Sequence, residues 1–198
     1  MNKFYDIIIA GGGTSGCAAA YTAGKAGLKT LLVEKNIHLG GAMTSSLVIP
    51  CMNPGENQIN TDFYNALIIE LKKLGGQVTY QGNNGWFNPE LTKIALDNLM
   101  NCANVDVLFN TKIDSLNVIN NRIINVKILS EPIETRYVID STGNCDVGFL
   151  SNCEFLNKNE EIQSLEGHKS YVISVIKIKN GDLVSCSNDH TIKIWRNK

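Results

Sequence analysis

Hydrophobic and polar positions follow a changing pattern along this chain, and the changes mark its elements. Ile7, Ile8 and Ile9 form a continuous β-branched run, which predicts a parallel strand buried on both faces. Gly11-Gly12-Gly13-Thr14-Ser15-Gly16 follows as a Gly-rich turn. Small residues, Cys17 to Ala20, then open a helical stretch that reaches Gly27. Lys29-Thr30-Leu31-Leu32-Val33 is a second apolar run, closed by Glu34. Strand, glycine turn, helix, strand and acid in this order make the βαβ pattern of a dinucleotide-binding unit.

Two prolines and a glycine between Val48 and Gly55 exclude a long helix there. Residues 61–74 predict an amphipathic helix with Phe63, Leu67, Ile68, Leu71 and Leu74 on one face, ended by Gly75-Gly76. Residues 77–87 predict a short strand and a loop ending in Trp86-Phe87. A further helix should start near Pro89, capped by Asn88, and reach about Cys102. Val105–Phe109 predicts a strand. Ile113–Ile119, Arg122–Ile128 and Ile133–Ile139 predict three more, with a hairpin turn at Asn120-Asn121. Three short strands after a βαβ start suggest a meander laid over a parallel sheet. The third runs into Asp140-Ser141-Thr142-Gly143-Asn144-Cys145-Asp146, a turn at the strand's carboxyl end, where doubly wound folds bind ligands.

The pattern changes again at residues 156–163, which are polar and predict a linker or crossing strand. Beyond them come an alternating run over Val172–Ile178, a turn at Asn180-Gly181, a run over Leu183–Ser187, and Asp189 to Trp195. This is β alternation without a helix, and it does not belong to an α/β sheet.

The first turn carries the clearest chemistry. Gly11 allows the tight turn from strand to helix, Gly13 lets a pyrophosphate approach the backbone, and Gly16 lets the helix pack close to the strand. The helix N-terminus presents N–H groups and a partial positive charge to the phosphates. Glu34 lies about 20 residues past the glycines, where a carboxylate accepts the ribose hydroxyls of the adenosine and repels a 2′-phosphate. Gly40 and Gly41 mark a second place of close backbone approach to a ligand. His38 reads as a solvated loop residue.

Charge and composition narrow the partners. A formal net charge of -1 with no basic block gives no nucleic-acid footprint. No apolar run reaches the roughly 20 residues of a membrane helix. Asp6 interrupts the run that a signal peptide would need as its core. The chain is therefore expected to be cytoplasmic, without membrane or nucleic-acid partners. None of the six cysteines is paired as C-x-x-C, so no metal or iron–sulfur ligand set is visible, and they are expected to be small buried hydrophobes. Cys51 is a candidate redox thiol, the less favoured of the two readings of that residue.

Residues 1–157 resemble the N-terminal part of FAD-dependent oxidoreductases with a glutathione-reductase-like flavin domain. Three motifs carry the likeness: the Gly11–Gly16 turn with Glu34, the Leu39-Gly40-Gly41 pair, and the Ile139–Asp146 stretch. The last is similar to the Asp-Ala-Thr-Gly-Asp-x-Asp signature of a family that includes relatives of the heterodisulfide reductase flavin subunit, with Asn144 in place of an acid. The resemblance implies FAD as cofactor. It also implies a site made of Gly11, Gly12, Gly13, Thr14, Ser15, Gly16, Glu34, Lys35, Gly40, Gly41, Thr142, Gly143 and Asp146. No catalytic acid or base is named by it. Domains of this kind continue into a substrate-binding region and a final Gly-rich turn. Neither is read in these residues, so the flavin domain is expected to be truncated.

Residues 161–195 resemble one WD40 repeat, with Gly167-His168, Asp189 and Trp195 at its marker positions and Ser185 or Ser187 as the hydroxyl of its bracing chain. His168 is thereby expected to be a structural brace, and Arg196 stands where the repeat has its final Asp. The expected fold is α/β, a Rossmann-like FAD-binding parallel sheet with a β-meander, then one WD40-like antiparallel blade over residues 158–198. The expected function is electron or hydride transfer through FAD on an unknown substrate. The alternative is a WD-repeat interaction protein, or an inactive chimeric product, with a relic flavin fold. A protein partner for the blade belongs to that alternative.

Overall fold

The computed structural model describes residues 4–51, 61–120, 122–153, 167, 169, 172–177, 183–187, 189 and 191–195. The chain divides into two compact units, 1–153 and 154–198. The boundary expected between residues 157 and 158, the polar stretch 156–163, His168, the turn at Asn180-Gly181 and Arg196 lie outside the described residues.

The first unit contains, in chain order, β1 (Phe4–Ala10), α1 (Thr14–Lys25), β2 (Thr30–Val33), α2 (Thr61–Lys73), β3 (Gln77–Tyr80), β4 (Asn83–Phe87), α3 (Pro89–Cys102), β5 (Asp106–Leu108), β6 (Ser115–Ile119), β7 (Arg122–Ile128), β8 (Glu131–Asp140) and α4 (Asp146–Leu150). A six-stranded sheet has the order β5-β2-β1-β8-β7-β6. β5, β2, β1 and β8 run parallel, while β7 and β6 continue antiparallel.

Alternation along the strands divides the core. Ile7, Ile9 and Leu32 pack against the helices, with Cys17 and Ala20 of α1, Leu67 and Leu71 of α2, and Leu96 and Met100 of α3. Ile8, Leu31 and Val33 point the other way and meet Val126, Ile128 and Ile133 of the meander. Fully burying a side chain of this size contributes roughly 1.5–3 kcal/mol, so these two layers account for much of the unit's stability. The α2 face is the expected one, with Leu67, Ile68 and Leu71 buried and Phe63 and Leu74 packed beside them. The Asn88 side chain caps α3, accepting from the N–H of Glu90 at 2.9 Å and of Leu91 at 3.2 Å.

Local readings differ from the fold in three places. Residues 77–87 form a hairpin instead of a strand and loop: Tyr80 pairs with Asn83 across Gln81 and Gly82, whose φ values are 49° and 76°. The Asn-Asn-Gly start of β4 conceals a strand that Trp86 secures, its ring 5.4 Å from that of Tyr80. Asp146–Leu150 forms a short helix that the sequence pattern did not indicate. The meander covers one face of the sheet as expected, but it is also continuous with it. β8 pairs antiparallel with β7 over Glu131–Glu134 and parallel with β1 over Glu134–Asp140, so one long strand serves both.

The second unit contains β9 (Val172–Lys177), β10 (Leu183–Ser187) and β11 (Ile192–Trp195), an antiparallel sheet in the order β11-β10-β9. Trp195 Nε1 donates to Ser185 Oγ at 2.7 Å. Asp189 accepts from the N–H of Thr191 at 3.0 Å and of Lys169 at 2.7 Å. No helix among the described residues is long and apolar enough to cross a membrane.

Candidate functional site

β2 and β8 flank β1 on opposite sides. The carboxyl ends of β1 and β8 thus lie side by side, at the edge of the sheet where doubly wound folds bind ligands in a crevice. The Gly11–Gly16 turn and the Ser141–Asp146 turn both sit there, joined by a hydrogen bond from the N–H of Ser141 to the carbonyl of Ala10 at 2.8 Å.

The glycines of the first turn divide by what surrounds them. A Cβ on Gly11, at φ +95°, would lie 2.5 Å from the Ser141 carbonyl oxygen. One on Gly12 would lie 2.5 Å from Leu39 Cδ2. One on Gly16 would overlap the carbonyl oxygen of Gly11. Gly13 differs, because a Cβ there meets nothing within 4 Å. Gly11 and Gly16 are therefore required by packing against backbone, Gly12 meets the end of the Leu39 side chain, and Gly13 borders open space. α1 begins at this open edge with no side-chain cap and no acidic residue in its first turn, so its orphan N–H groups remain for an anion.

Glu34 is buried at the end of β2. Its Oε2 accepts from the N–H of Gly12 at 2.6 Å, and its Oε1 from the N–H of Asn36 at 2.7 Å. A carboxylate offers about four lone-pair sites, so each oxygen keeps acceptor capacity beyond these two bonds. The two backbone bonds fix the carboxylate beside the glycine turn.

The Leu39–Thr44 segment closes against the same turn. Gly40 N–H donates to the Gly12 carbonyl at 2.8 Å, and Gly13 and Gly40 form a parallel bridge. Gly41 has φ +52°, and a Cβ on it would lie 2.9 Å from Gly13 Cα. Thr44 Oγ1 donates to the Leu39 carbonyl at 2.7 Å, pinning the segment from behind.

At the end of β8, Asp140 Oδ1 accepts from Thr142 N–H at 3.1 Å and from Thr142 Oγ1 at 2.7 Å. Its Oδ2 accepts from Val147 N–H at 2.9 Å and Gly148 N–H at 3.0 Å. Partial burial pushes this carboxyl up, but the Thr142 hydroxyl and the Gly148, Thr142 and Val147 N–H groups outweigh it and hold the group below the usual carboxylate range. Gly143, at φ +79°, has nothing within 4 Å of a Cβ, so it also borders open space.

The fold thus brings Gly11, Gly12, Gly13, Gly16, Glu34, Gly40 and Gly41 into direct contact, with the Thr142-Gly143 turn joined to them through Ser141. Thr14 and Ser15 lie exposed on the first turn of α1, Lys35 is exposed beside Glu34, and the Asp146 N–H donates to Thr142 Oγ1 at 2.9 Å. Asn36 and Thr44 also shape the site and are not indicated by the sequence, and Leu39 and Asp140, which lie within the quoted motifs, were not among the expected site residues. Only Asp140 carried a usable signal, an Asp two residues before a Thr at a strand end.

The cysteines depart from the expectation of burial. Cys17 is buried, and burial first of all pushes its thiol up to about 12; it donates to the Gly12 carbonyl at 3.2 Å. Cys102, Cys145 and Cys153 are exposed instead. Burial raises the Cys51 thiol, which disfavours the reactive thiolate that a redox role would use.

Fold and site together define a dinucleotide-binding α/β domain with the crevice at its switch point. Residues 6–197 match the family described as FAD dependent oxidoreductase; the chain belongs to that family, and FAD is its cofactor. The match runs across both units. Among individual relatives, digeranylgeranylglycerophospholipid reductase of Methanocaldococcus jannaschii is 38% identical over 50 residues, 25% of this chain and 13% of that protein. Thioredoxin reductase of Bacillus subtilis is 32% identical over 78 residues, 39% of this chain and 24% of that protein. The matched stretch thus spans less than a quarter of the length of either relative. The crystal structure of L-proline dehydrogenase from P. horikoshii superposes with a TM-score of 0.56 at 13% identity, over 97% of this chain and 69% of that one, a likeness of fold.

Proposed function

We propose that this chain is the flavin-holding part of an oxidoreductase of the glutathione-reductase-like kind. The observation that carries the reading is the open space at Gly13 between glycines that are otherwise tightly packed. A pyrophosphate seated there meets the α1 N-terminus, with Gly40 and Gly41 behind the turn and Glu34 directed at the adenosine ribose. The Thr142-Gly143 turn and Asp146 line the crevice farther along, with Lys35 at the ribose end. FAD, when bound, supplies the electron or hydride chemistry, and these residues bind and orient it. Purified full-length protein should be yellow and should release free flavin on denaturation. Colourless protein that takes up no added FAD would overturn the reading.

The second unit favours an additional role as an interaction module built like one WD40 blade. The Trp195–Ser185 hydrogen bond and the Asp189 turn support it, since both use residues of that repeat's bracing chain. Ile192 and Ile194 of β11 are 73% and 63% exposed, an apolar edge suited to a protein partner. A single sheet layer rarely holds a fold alone. Residues 160–198 expressed alone should therefore show no protected amides over Val172–Trp195 by hydrogen exchange. Strong protection in that fragment would mean an autonomous module instead.

A further inference from the structure

We infer that Asp140 is a positioning residue for the cofactor crevice, setting the Thr142–Asp146 turn through its carboxylate; this rests on the flavin-holding reading above. Asp140 is the last residue of β8 and pairs in register with Ala10, the residue before Gly11. Strand pairing fixes its backbone against the glycine turn. Its side chain then reaches forward to both ends of the next segment, Thr142 at the near end and Val147 and Gly148 at the far end. One carboxylate thereby closes the loop that carries Thr142, Gly143 and Asp146.

Each of these partners is a donor, two on each oxygen. The brace needs an acceptor at both oxygens. An Asn keeps the shape but turns one oxygen into an NH2 group that faces donors, so an isosteric change breaks one half of the brace. Asp140 itself is exposed, whereas Val147, one of the residues it holds, is buried. Gly143 explains why the brace is needed. The outer side of the turn faces open space, where no protein atom lies within 4 Å of a Cβ on Gly143, so the turn is held from its inner side.

The test uses the full chain as wild type, Asp140→Asn and Asp140→Ala, with thermal melting as a control for folding. Amide exchange in flavin-free protein reads the brace. FAD titration, with the visible circular dichroism of the bound flavin, reads its consequence. In Asp140→Ala the Thr142, Val147 and Gly148 amides should exchange at least about tenfold faster, and in Asp140→Asn those of one half of the brace, either Thr142 or Val147 with Gly148, while the amides of β1 and α3 keep their rates. FAD should bind about tenfold more weakly, with an altered visible band. Unchanged exchange at those amides overturns the brace. Faster exchange with FAD affinity and band unchanged overturns the positioning role and leaves a structural one. A wild-type chain that binds no FAD overturns the flavin reading and this inference with it, and the wild-type titration identifies that case separately from the exchange data.

Discussion

Gly13→Val protein should fold as the wild type does and take up no measurable FAD. The backbone at Gly13 has φ −70° and ψ −174°, an extended conformation open to any L-residue. A Cβ there meets no protein atom within 4 Å, so folding has no reason to resist it. Stability should stay within about 1 kcal/mol of wild type. The methyl groups would instead fill the space where the pyrophosphate approaches the α1 N-terminus. FAD affinity should fall at least about 100-fold, equal to about 2.8 kcal/mol. Titration of flavin-free protein, beside a denaturant melt, reads both quantities. Wild-type affinity in a folded Gly13→Val protein would show that the open space is not the phosphate site.

Gly16→Ala should do the reverse and damage the fold itself. Helix propensity alone argues for the Ala, by about 1 kcal/mol. The packing argues against it, because the new Cβ would overlap the Gly11 carbonyl oxygen. That carbonyl cannot easily retreat: the Gly11 N–H is bonded to the Val33 carbonyl at 2.8 Å, and Ser141 backs the same turn. Overpacking against immobile backbone is worth about 3 kcal/mol or more, so the clash outweighs propensity. The urea midpoint of Gly16→Ala should therefore drop sharply. A midpoint at or above wild type would mean that the helix and strand are not in the contact described.

The two glycines are three residues apart and have the same side chain, yet the sequence alone already assigned close helix–strand packing to Gly16, where the structure has it. It could do so because a glycine turn between a strand and a helix is a local pattern with local geometry. The Asn88 cap and the Leu67–Leu71 face of α2 were readable for the same reason. What escaped was set by distance along the chain. The pairing of β8 with β1 joins residues at opposite ends of the first unit, so a strand read as part of a meander is also a central strand. The Asp140 carboxylate acts on residues beyond the motif that contains it. The sequence presents Glu34 as a ribose acceptor, a role that stays a proposal; the structure shows it accepting from Gly12 and Asn36, which no local pattern announces. The exposure of Cys102, Cys145 and Cys153 depends on which side of an element faces the core, and isolated cysteines carry no periodicity to reveal it.

The central claim is that the Gly13 crevice with Glu34 holds FAD. Calorimetric titration of flavin-free, full-length wild-type protein tests it most directly, with FAD in one series and NADP in the other. FAD should bind at one site per chain. NADP should give no comparable heat if, as proposed, the Glu34 carboxylate holds the adenosine ribose, since a carboxylate there repels a 2′-phosphate. No binding of FAD, or NADP binding more tightly than FAD, would contradict the account.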